Sequence, residues 1–296
     1  MKEITVASSL SITPTYSPHM PTIFITGASA GLGKATAKLF ATRGWNVMAT
    51  MRHPEHETEL TQLPSVHLLP LDVTDPTQIE ATVQHAIALH PVDVVLNNAG
   101  YGLIGALEAI SDEQITQLVN TNMLGVIRVT RAFLPHLREK KSGLILNITS
   151  IGGLIAFPLY SVYHAAKWAI EGWSESMSFE LAQHNINIKT ISPGGIATDF
   201  TGRSLQVVEH SAYADLLASL LDSQSGDNTA HFTAPETIAE VVYEAATVKK
   251  DQLRYQAGAD AVATYEHRLV IGPEAFRREV ATRFGVSAAT SQPTDD

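Results

Sequence analysis

Apolar residues in this chain gather in short unbroken runs separated by amphipathic stretches. Thr22-Ile23-Phe24-Ile25-Thr26, Asn46 to Met51, Val66 to Leu71, Val92 to Asn97, Leu144 to Thr149 and Ile186 to Ile191 are such runs. A run that is apolar at nearly every position, rather than at alternate ones, suits a strand buried on both faces. Between the runs the spacing becomes helical, which predicts helices over Gly31 to Arg43, Asp75 to Leu89, Ser111 to Leu137 and Leu159 to His184. Asp75 reads as an N-cap with Pro76 at the first helical position, and Ser111 as a second N-cap. Strands alternating with helices predict an α/β fold, a doubly wound parallel sheet of the Rossmann type with about seven strands.

After Pro193 the rhythm breaks. Residues 195 to 234 hold Gly, Ser, Thr and Asp around one apolar block, Tyr213 to Leu221, and read as a mobile substrate flap rather than a core element. Helix returns at Pro235 to Val248, with Thr233 as its expected N-cap, then a seventh strand at Leu253 to Ala257 and a helix at Ala275 to Phe284. The expected organisation is a flexible extension over 1–20, one domain over 21–286 and a loose tail over 287–296.

Composition narrows the function. The chain has 296 residues and 45% hydrophobic positions, enough for a full core. With 20 Lys and Arg against 30 Asp and Glu, the net charge is -10, which repels nucleic acid. No apolar run reaches the ~18 residues of a spanning helix, so no membrane role is expected. There is no cysteine, which removes disulfides, thiolate metal sites and a cysteine nucleophile, and suits a cytoplasmic enzyme. His53-Pro54-Glu55-His56 lacks a third ligand at helical spacing, so no metal is expected.

The chemistry is carried by spacing. Thr26-Gly27-Ala28-Ser29-Ala30-Gly31-Leu32-Gly33 joins the first strand to the first helix, where glycines let backbone approach a pyrophosphate and the helix N-terminus offers free N–H groups. Tyr163 and Lys167 are one turn apart on one helical face. A Tyr hydroxyl has a pKa near ~10, and an ammonium beside it favours the phenolate. Ser150 lies upstream in Asn147-Ile148-Thr149-Ser150 and, with the Tyr, would stabilise an oxygen that gains charge during hydride transfer.

Taken in order, the glycine turn, Asn97-Asn98-Ala99-Gly100, Asn122, Ser150, Tyr163, Lys167 and Pro193-Gly194 resemble a short-chain dehydrogenase/reductase over about residues 21 to 200. The resemblance implies roles. Tyr163 is the general acid/base, Lys167 lowers its pKa and holds the nicotinamide ribose, Ser150 binds the substrate oxygen, and Asn122 organises a relay water. Asn122 is preferred to Asn120 because it precedes Gly125 in Asn-Met-Leu-Gly. It also implies a cofactor site of Gly27, Ser29, Gly31, Leu32, Gly33, Arg52, Asp72, Val73, Asn98, Ala99, Gly100, Tyr163, Lys167, Pro193, Gly194, Ile196 and Thr198. Asp72 reads equally as a turn cap.

Met51 stands where an NAD enzyme of this family carries a carboxylate, and Arg52 follows it. Arg52 can grip a 2′-phosphate with a charge-assisted fork, so NADP(H) is the expected cofactor. The glycine turn departs from many NADP-using members in having no basic residue, with Ser29 as a substitute. The expected reaction is NADPH-dependent reduction of an apolar ketone or aldehyde, with walls from Leu103, Ile151, Leu154, Ile155, Phe157 and Leu216. The alternatives are an NAD-dependent alcohol or hydroxysteroid dehydrogenase, and a silent NADP-sensing binding protein, which the intact Asn-Ser-Tyr-Lys set argues against. The expected partners are a small-molecule substrate and a second copy of the chain, as a homodimer or homotetramer.

Overall fold

A computed structural model describes residues 20–197, 204–225 and 232–286. Seven strands form one sheet: β1 (Thr22–Thr26), β2 (Asn46–Met51), β3 (Val66–Pro70), β4 (Val94–Asn97), β6 (Gly143–Ile148), β7 (Ile186–Pro193) and β9 (Arg254–Ala257). Their order is β3-β2-β1-β4-β6-β7-β9 and every pairing is parallel. The chain winds outward from β1 in one direction and from β4 in the other. In such sheets ligands bind in the crevice beyond the strand ends where the winding reverses.

Helices cover both faces. One side carries α1 (Gly31–Thr42) and α7 (Pro235–Thr247), packed around Phe40, Ile238 and Val242. The other carries α2 (Pro76–Leu89), α4 (Gly125–Lys140) and α5 (Ser161–Ala182), around Phe24, Phe133 and Met177. Burial on both faces is why the strands read as continuous apolar runs. Asp75 caps α2 as expected, accepting from Thr77 N and Gln78 N.

Several expectations are corrected. The stretch from Ser111 to Leu137 is not one helix. It is α3 (Asp112–Val119), a wider π turn over Asn120–Leu124, and α4. Gly125, the first residue of α4, packs so tightly that a Cβ there would meet Val73 Cγ2 at 3.0 Å. The helix expected from Leu159 begins at Ser161, because Leu159 is left-handed at φ 65. Thr233 does not cap α7. Its N–H donates to Gly195 O at 2.8 Å and its carbonyl accepts from Ala197 N at 2.9 Å, so Ala234 takes the cap position without a side-chain bond.

Nor is the described part of the flap free of structure. β5 (Gly102–Gly105) and β8 (Leu205–Val208) form a separate parallel pair, and α6 (Ala214–Asp222) buries Leu217 and Leu220 against Ile104 and Phe284. The C-terminal segment holds two helices where one was expected, α8 (Ala259–Ile271) and α9 (Pro273–Arg283). Among the described residues, no helix is long and apolar enough to cross a membrane.

Candidate active site

The ends of β1 and β4 are tied together before any ligand is considered. Thr26 Oγ1 accepts from Asn98 N at 2.9 Å and Ala99 N at 3.0 Å. Asn98 Nδ2 returns two bonds, to Thr26 O and Gly27 O. Gly27 (φ 69) and Gly31 (φ 53) take left-handed conformations that only glycine adopts freely. A Cβ on Gly33 would overlap the Gly27 carbonyl and lie 2.6 Å from Asn98 Nδ2. The turn is thus an open cradle of backbone at the start of α1, lined by Ser29, Leu32 and Gly33, and it suits a pyrophosphate.

Met51 is buried at the end of β2 and Arg52 is exposed on the cleft beside it. Asp72 accepts from Thr74 N at 2.9 Å and Thr74 Oγ1 at 2.7 Å, so it does hold a turn, yet it also lines the cleft with Val73. Burial works to raise the Asp72 pKa, but the Thr74 bonds and the charge of Arg52 outweigh it and hold the carboxyl below its usual range. Two cations escaped the sequence reading here. Lys34 and Lys38 on α1 line the same lip; Lys34 is bound by Glu57 at 3.0 Å and Glu59 at 2.9 Å, and Lys38 by Glu59. Helical positions beyond the glycine turn gave no signal for this.

Across the cleft, three of the four expected catalytic side chains converge on one floor. Ser150 stands two residues beyond β6 and caps the next turn, its Oγ accepting from Gly152 N at 3.0 Å. Its hydroxyl lies close enough to that of Tyr163 to lower the Tyr163 pKa. Lys167 is buried and donates to Ile148 O at 3.0 Å, its Nζ lying 5.8 Å from the Tyr163 ring centroid. Asn122 lies behind them in the π turn. Its amide grips Tyr101, accepting from N at 3.0 Å and donating to O at 2.7 Å. Both ends of that side chain are therefore used on backbone. Asn120, the other candidate, lines the cleft.

Burial shifts both members of the Tyr163–Lys167 pair. Burial pushes the Tyr163 hydroxyl up to about 12, against the Ser150 bond and with help from Tyr160. Lys167 is not among the groups that lower it. Burial draws Lys167 itself down to about 8, opposed by Glu171. With its hydroxyl raised to about 12, Tyr163 is a protonated acid at neutral pH.

His164, next to Tyr163, points away from the Tyr–Lys face as expected, but it does more than pack. Nε2 accepts from Phe157 N at 3.0 Å, which leaves the ring proton on Nδ1, bonded to Gly152 O at 2.6 Å. The ring straps the 151–157 loop to α5. Burial holds its pKa below the ordinary 6.5, against its backbone bonds. A depressed histidine pKa gives stability that is present above about 6.5 and lost as pH falls through that value. The fall in Tm between pH 7.5 and 5.5 is therefore expected to be smaller in His164→Leu than in the parent, read by thermal denaturation. An equal fall in both proteins would exclude His164 as a source of acid sensitivity.

The substrate side of the cleft is walled by Ile151, Ile155, Phe157, Tyr160, Leu220 and Phe284. Leu103 and Leu154, expected there, are buried in the core; Leu103 packs with Leu118 and Ala166. Leu220 replaces Leu216 because α6 turns it inward. Gln224 Nε2 donates to Tyr160 Oη at 2.7 Å and joins the flap to the catalytic helix. At the far end, Gly194 N donates to Ala257 O at 3.1 Å and Gly195 N to Asp260 Oδ2 at 2.7 Å. Asp260 Oδ1 is buried with no partner among the described residues, an acceptor open to an amide N–H. Pro193, Gly194 and Ile196 line this end; Thr198 lies outside the described residues. The cleft measures about 2140 Å³, above the roughly 300–1,000 Å³ of a site for one small ligand, so it has room for a dinucleotide and a substrate. Away from it lie His53, Glu55 and His56, with His53 Nδ1 and Glu55 Oε1 hydrogen-bonded at 3.0 Å. The three exposed side chains bring their ligand atoms within 4.8 Å of one another.

A glycine turn at the switch point, beside a Ser–Tyr–Lys floor, defines a dinucleotide-binding hydride-transfer protein. Residues 21–207 match the family model of the short chain dehydrogenases. Oxidoreductase BOA17 of Botryotinia fuckeliana is 38% identical over 244 residues, covering 81% of this chain and 89% of that protein. A solved short-chain dehydrogenase from Streptomyces avermitilis superposes with a TM-score of 0.78 at 30% identity, covering 91% of this chain and 98% of the other. An alcohol dehydrogenase from the archaeon Thermococcus sibiricus, complexed with 5-hydroxy-NADP, gives 0.66 at 27% identity, covering 80% and 95%. This chain belongs to the short-chain dehydrogenase/reductase family and is an oxidoreductase.

Proposed function

We propose that the protein reduces an apolar ketone or aldehyde to the alcohol with NADPH. The observation that carries this reading is the Ser150–Tyr163 pair at the floor of a largely apolar wall, with the Tyr163 hydroxyl protonated at neutral pH. Bound at the glycine turn, NADP(H) supplies the hydride. Gly27, Ser29, Gly31, Leu32 and Gly33 would hold its phosphates, Asp72 and Val73 its adenine, and Asn98, Ala99, Gly100, Lys167, Pro193, Gly194 and Ile196 its nicotinamide half, with Thr198 beyond them. Ser150 holds the substrate oxygen, and Tyr163 gives that oxygen its proton. Lys167 supplies positive charge behind Tyr163. Asn122 keeps Tyr101 and the π turn in place, and its backbone is the candidate anchor for a relay water.

NADPH is favoured over NADH by Arg52 and by the absence of a carboxylate at Met51. A parallel is the 5-hydroxy-NADP complexed with the archaeal alcohol dehydrogenase. The same reading places the protein in a reducing cytoplasm, and gives it a homo-oligomer interface on the outer face of α5, where Trp168 is 43% and Phe179 73% exposed.

The test is an NADPH-oxidation screen over apolar ketones and aldehydes, followed by kcat/KM with NADPH and NADH for the best substrate. In Arg52→Asp the NADPH/NADH ratio is expected to fall about 100-fold, the value of one lost charge-assisted fork plus one introduced repulsion. No turnover of any carbonyl would sink the reaction assigned. A ratio unmoved by Arg52→Asp would sink the cofactor assignment alone.

A further inference from the structure

Behind the proton-handling lysine lies a second buried charge that no step above uses. Glu171 is 4% exposed and stands one turn beyond Lys167 on the same face of α5. Its Oε1 accepts from Thr149 Oγ1 at 2.6 Å and Ser192 Oγ at 3.0 Å. Its Oε2 accepts from Thr190 Oγ1 at 3.0 Å and Arg254 Nε at 3.1 Å. These donors stand at chosen places. Thr149 immediately precedes Ser150, Thr190 and Ser192 lead into Pro193, and Arg254 opens β9.

A buried ion pair is weak support for a fold as such, since apolar side chains of similar volume commonly serve as well. Elsewhere α5 does meet the sheet with Ile170, Met177 and Leu181. Lys167, meanwhile, makes no ion pair among the described residues and donates a hydrogen bond to a neutral carbonyl. Gly153 lets the backbone close over both side chains: a Cβ there would meet Lys167 O at 3.1 Å and Glu171 Cγ at 3.2 Å.

We propose that Glu171 is a positioning residue for the Tyr163–Lys167 pair: it is the counter-charge that keeps the buried Lys167 ammonium protonated, and its four donors lock α5 onto the strand ends that carry Ser150 and Pro193. The proposal rests on the reading of Tyr163 and Lys167 given above. Burial draws Lys167 down, and Glu171 is the group that acts against it. Arg254 offsets part of that negative charge and is held at its other end by Glu175 at 2.5 Å. The charged and titratable groups around the pair are Tyr163 and Glu175 from α5 and Arg254 from β9. β6 and β7 present the hydroxyls of Thr149, Ser150, Thr190 and Ser192, and the π turn presents the Asn122 amide.

The experiment is a ¹³C NMR pH titration of the lysine ε-carbons in the full-length protein without substrate, with the Lys167 signal assigned by its loss in Lys167→Met. In Glu171→Gln the Lys167 midpoint is expected to drop by roughly one pH unit or more, the usual effect of removing an opposite charge one turn away. In Glu171→Asp it is expected to stay near the parent value. In Arg254→Met it is expected to rise, because the carboxylate loses its neutralising partner. A purely structural Glu171 would leave the midpoint unmoved in all three variants, and that result overturns the proposal. If Glu171→Gln does not fold, Arg254→Met decides alone by the same sign. Turnover read in parallel separates the two claims. A shifted Lys167 midpoint in a protein that reduces no carbonyl keeps the counter-charge and sinks the reaction. Normal turnover with an unmoved midpoint does the reverse.

Discussion

Tyr163→Phe is expected to lower kcat/KM for carbonyl reduction about 1000-fold, with NADPH affinity within about twofold of the parent and Tm little changed. General acid catalysis is worth roughly 10²–10⁴ in rate, so a 1000-fold loss corresponds to about 4 kcal/mol of transition-state stabilisation. Phe keeps what holds the ring: the Tyr160 ring at 5.8 Å and Lys167 over its face. What goes is one hydroxyl, and with it the proton for the substrate oxygen; Ser150 remains to polarise the carbonyl but cannot replenish that proton from a buried relay. The pH dependence follows from the two shifted groups. A hydroxyl raised to about 12 stays protonated across the physiological range, so reduction in the parent should show no falling limb from Tyr163 below pH 8. The first falling limb belongs to Lys167, near pH 8, as its charge is lost. Steady-state kinetics from pH 6 to 9.5 on both proteins checks this. Rates within tenfold of each other would remove Tyr163 as the acid.

Gly33→Val is expected to abolish cofactor binding for a reason that has nothing to do with charge. Its first side-chain atom would overlap the carbonyl of Gly27 and press on Asn98 Nδ2. Neither neighbour is a flexible side-chain tip. The carbonyl belongs to a turn already held left-handed at Gly27, and the amide is committed to Thr26 and Gly27. Overpacking of this kind costs about 1–3 kcal/mol. In a domain of this size that is roughly 2–4 °C of Tm per kcal/mol. The turn must open to relieve it, and NADPH affinity should fall at least about 100-fold, equivalent to about 2.7 kcal/mol. Fluorescence titration with NADPH and a thermal melt read both quantities. Parental affinity in a folded Gly33→Val protein would show that the cradle is not where the phosphates lie.

Much of this architecture is legible before any coordinates because its signals are local. Ile23 to Ile25 and Val94 to Leu96 are buried on both faces, and such strands cannot alternate. Tyr163 and Lys167 declare themselves by helical spacing, as do Asp75 and Pro76. What stays hidden depends on partners far along the chain. The π turn at Asn122 ends where Gly125 packs against Val73, and nothing near residue 122 carries that contact. β8 is half exposed and polar at Gln206, and is a strand only because β5 lies beside it a hundred residues away. Asp260 enters the cofactor end through a helix that the composition of its segment did not announce. Glu171 had a readable clue, its place one turn after Lys167, but its hydroxyls come from the end of β6 and from β7, and its guanidinium partner from β9. The burial that lifts Tyr163 to about 12 is likewise a property of the assembled cleft.

The pairing of α1 with α7 bears on how the chain is made. Phe40 packs edge-on against Tyr243 at 5.1 Å, and Arg43 reaches Glu240 at 3.1 Å, each across about two hundred residues of sequence. At a synthesis rate of about 5–20 residues per second, the apolar face of the first helix waits roughly 10–40 s for its cover to leave the ribosome. During that interval the glycine turn has a helix to open but nothing behind that helix to hold it. The nascent chain therefore exposes Ala37 and Phe40 when it is most prone to stick to its neighbours, and expression yield should respond to translation speed and chaperone supply more than native stability would suggest.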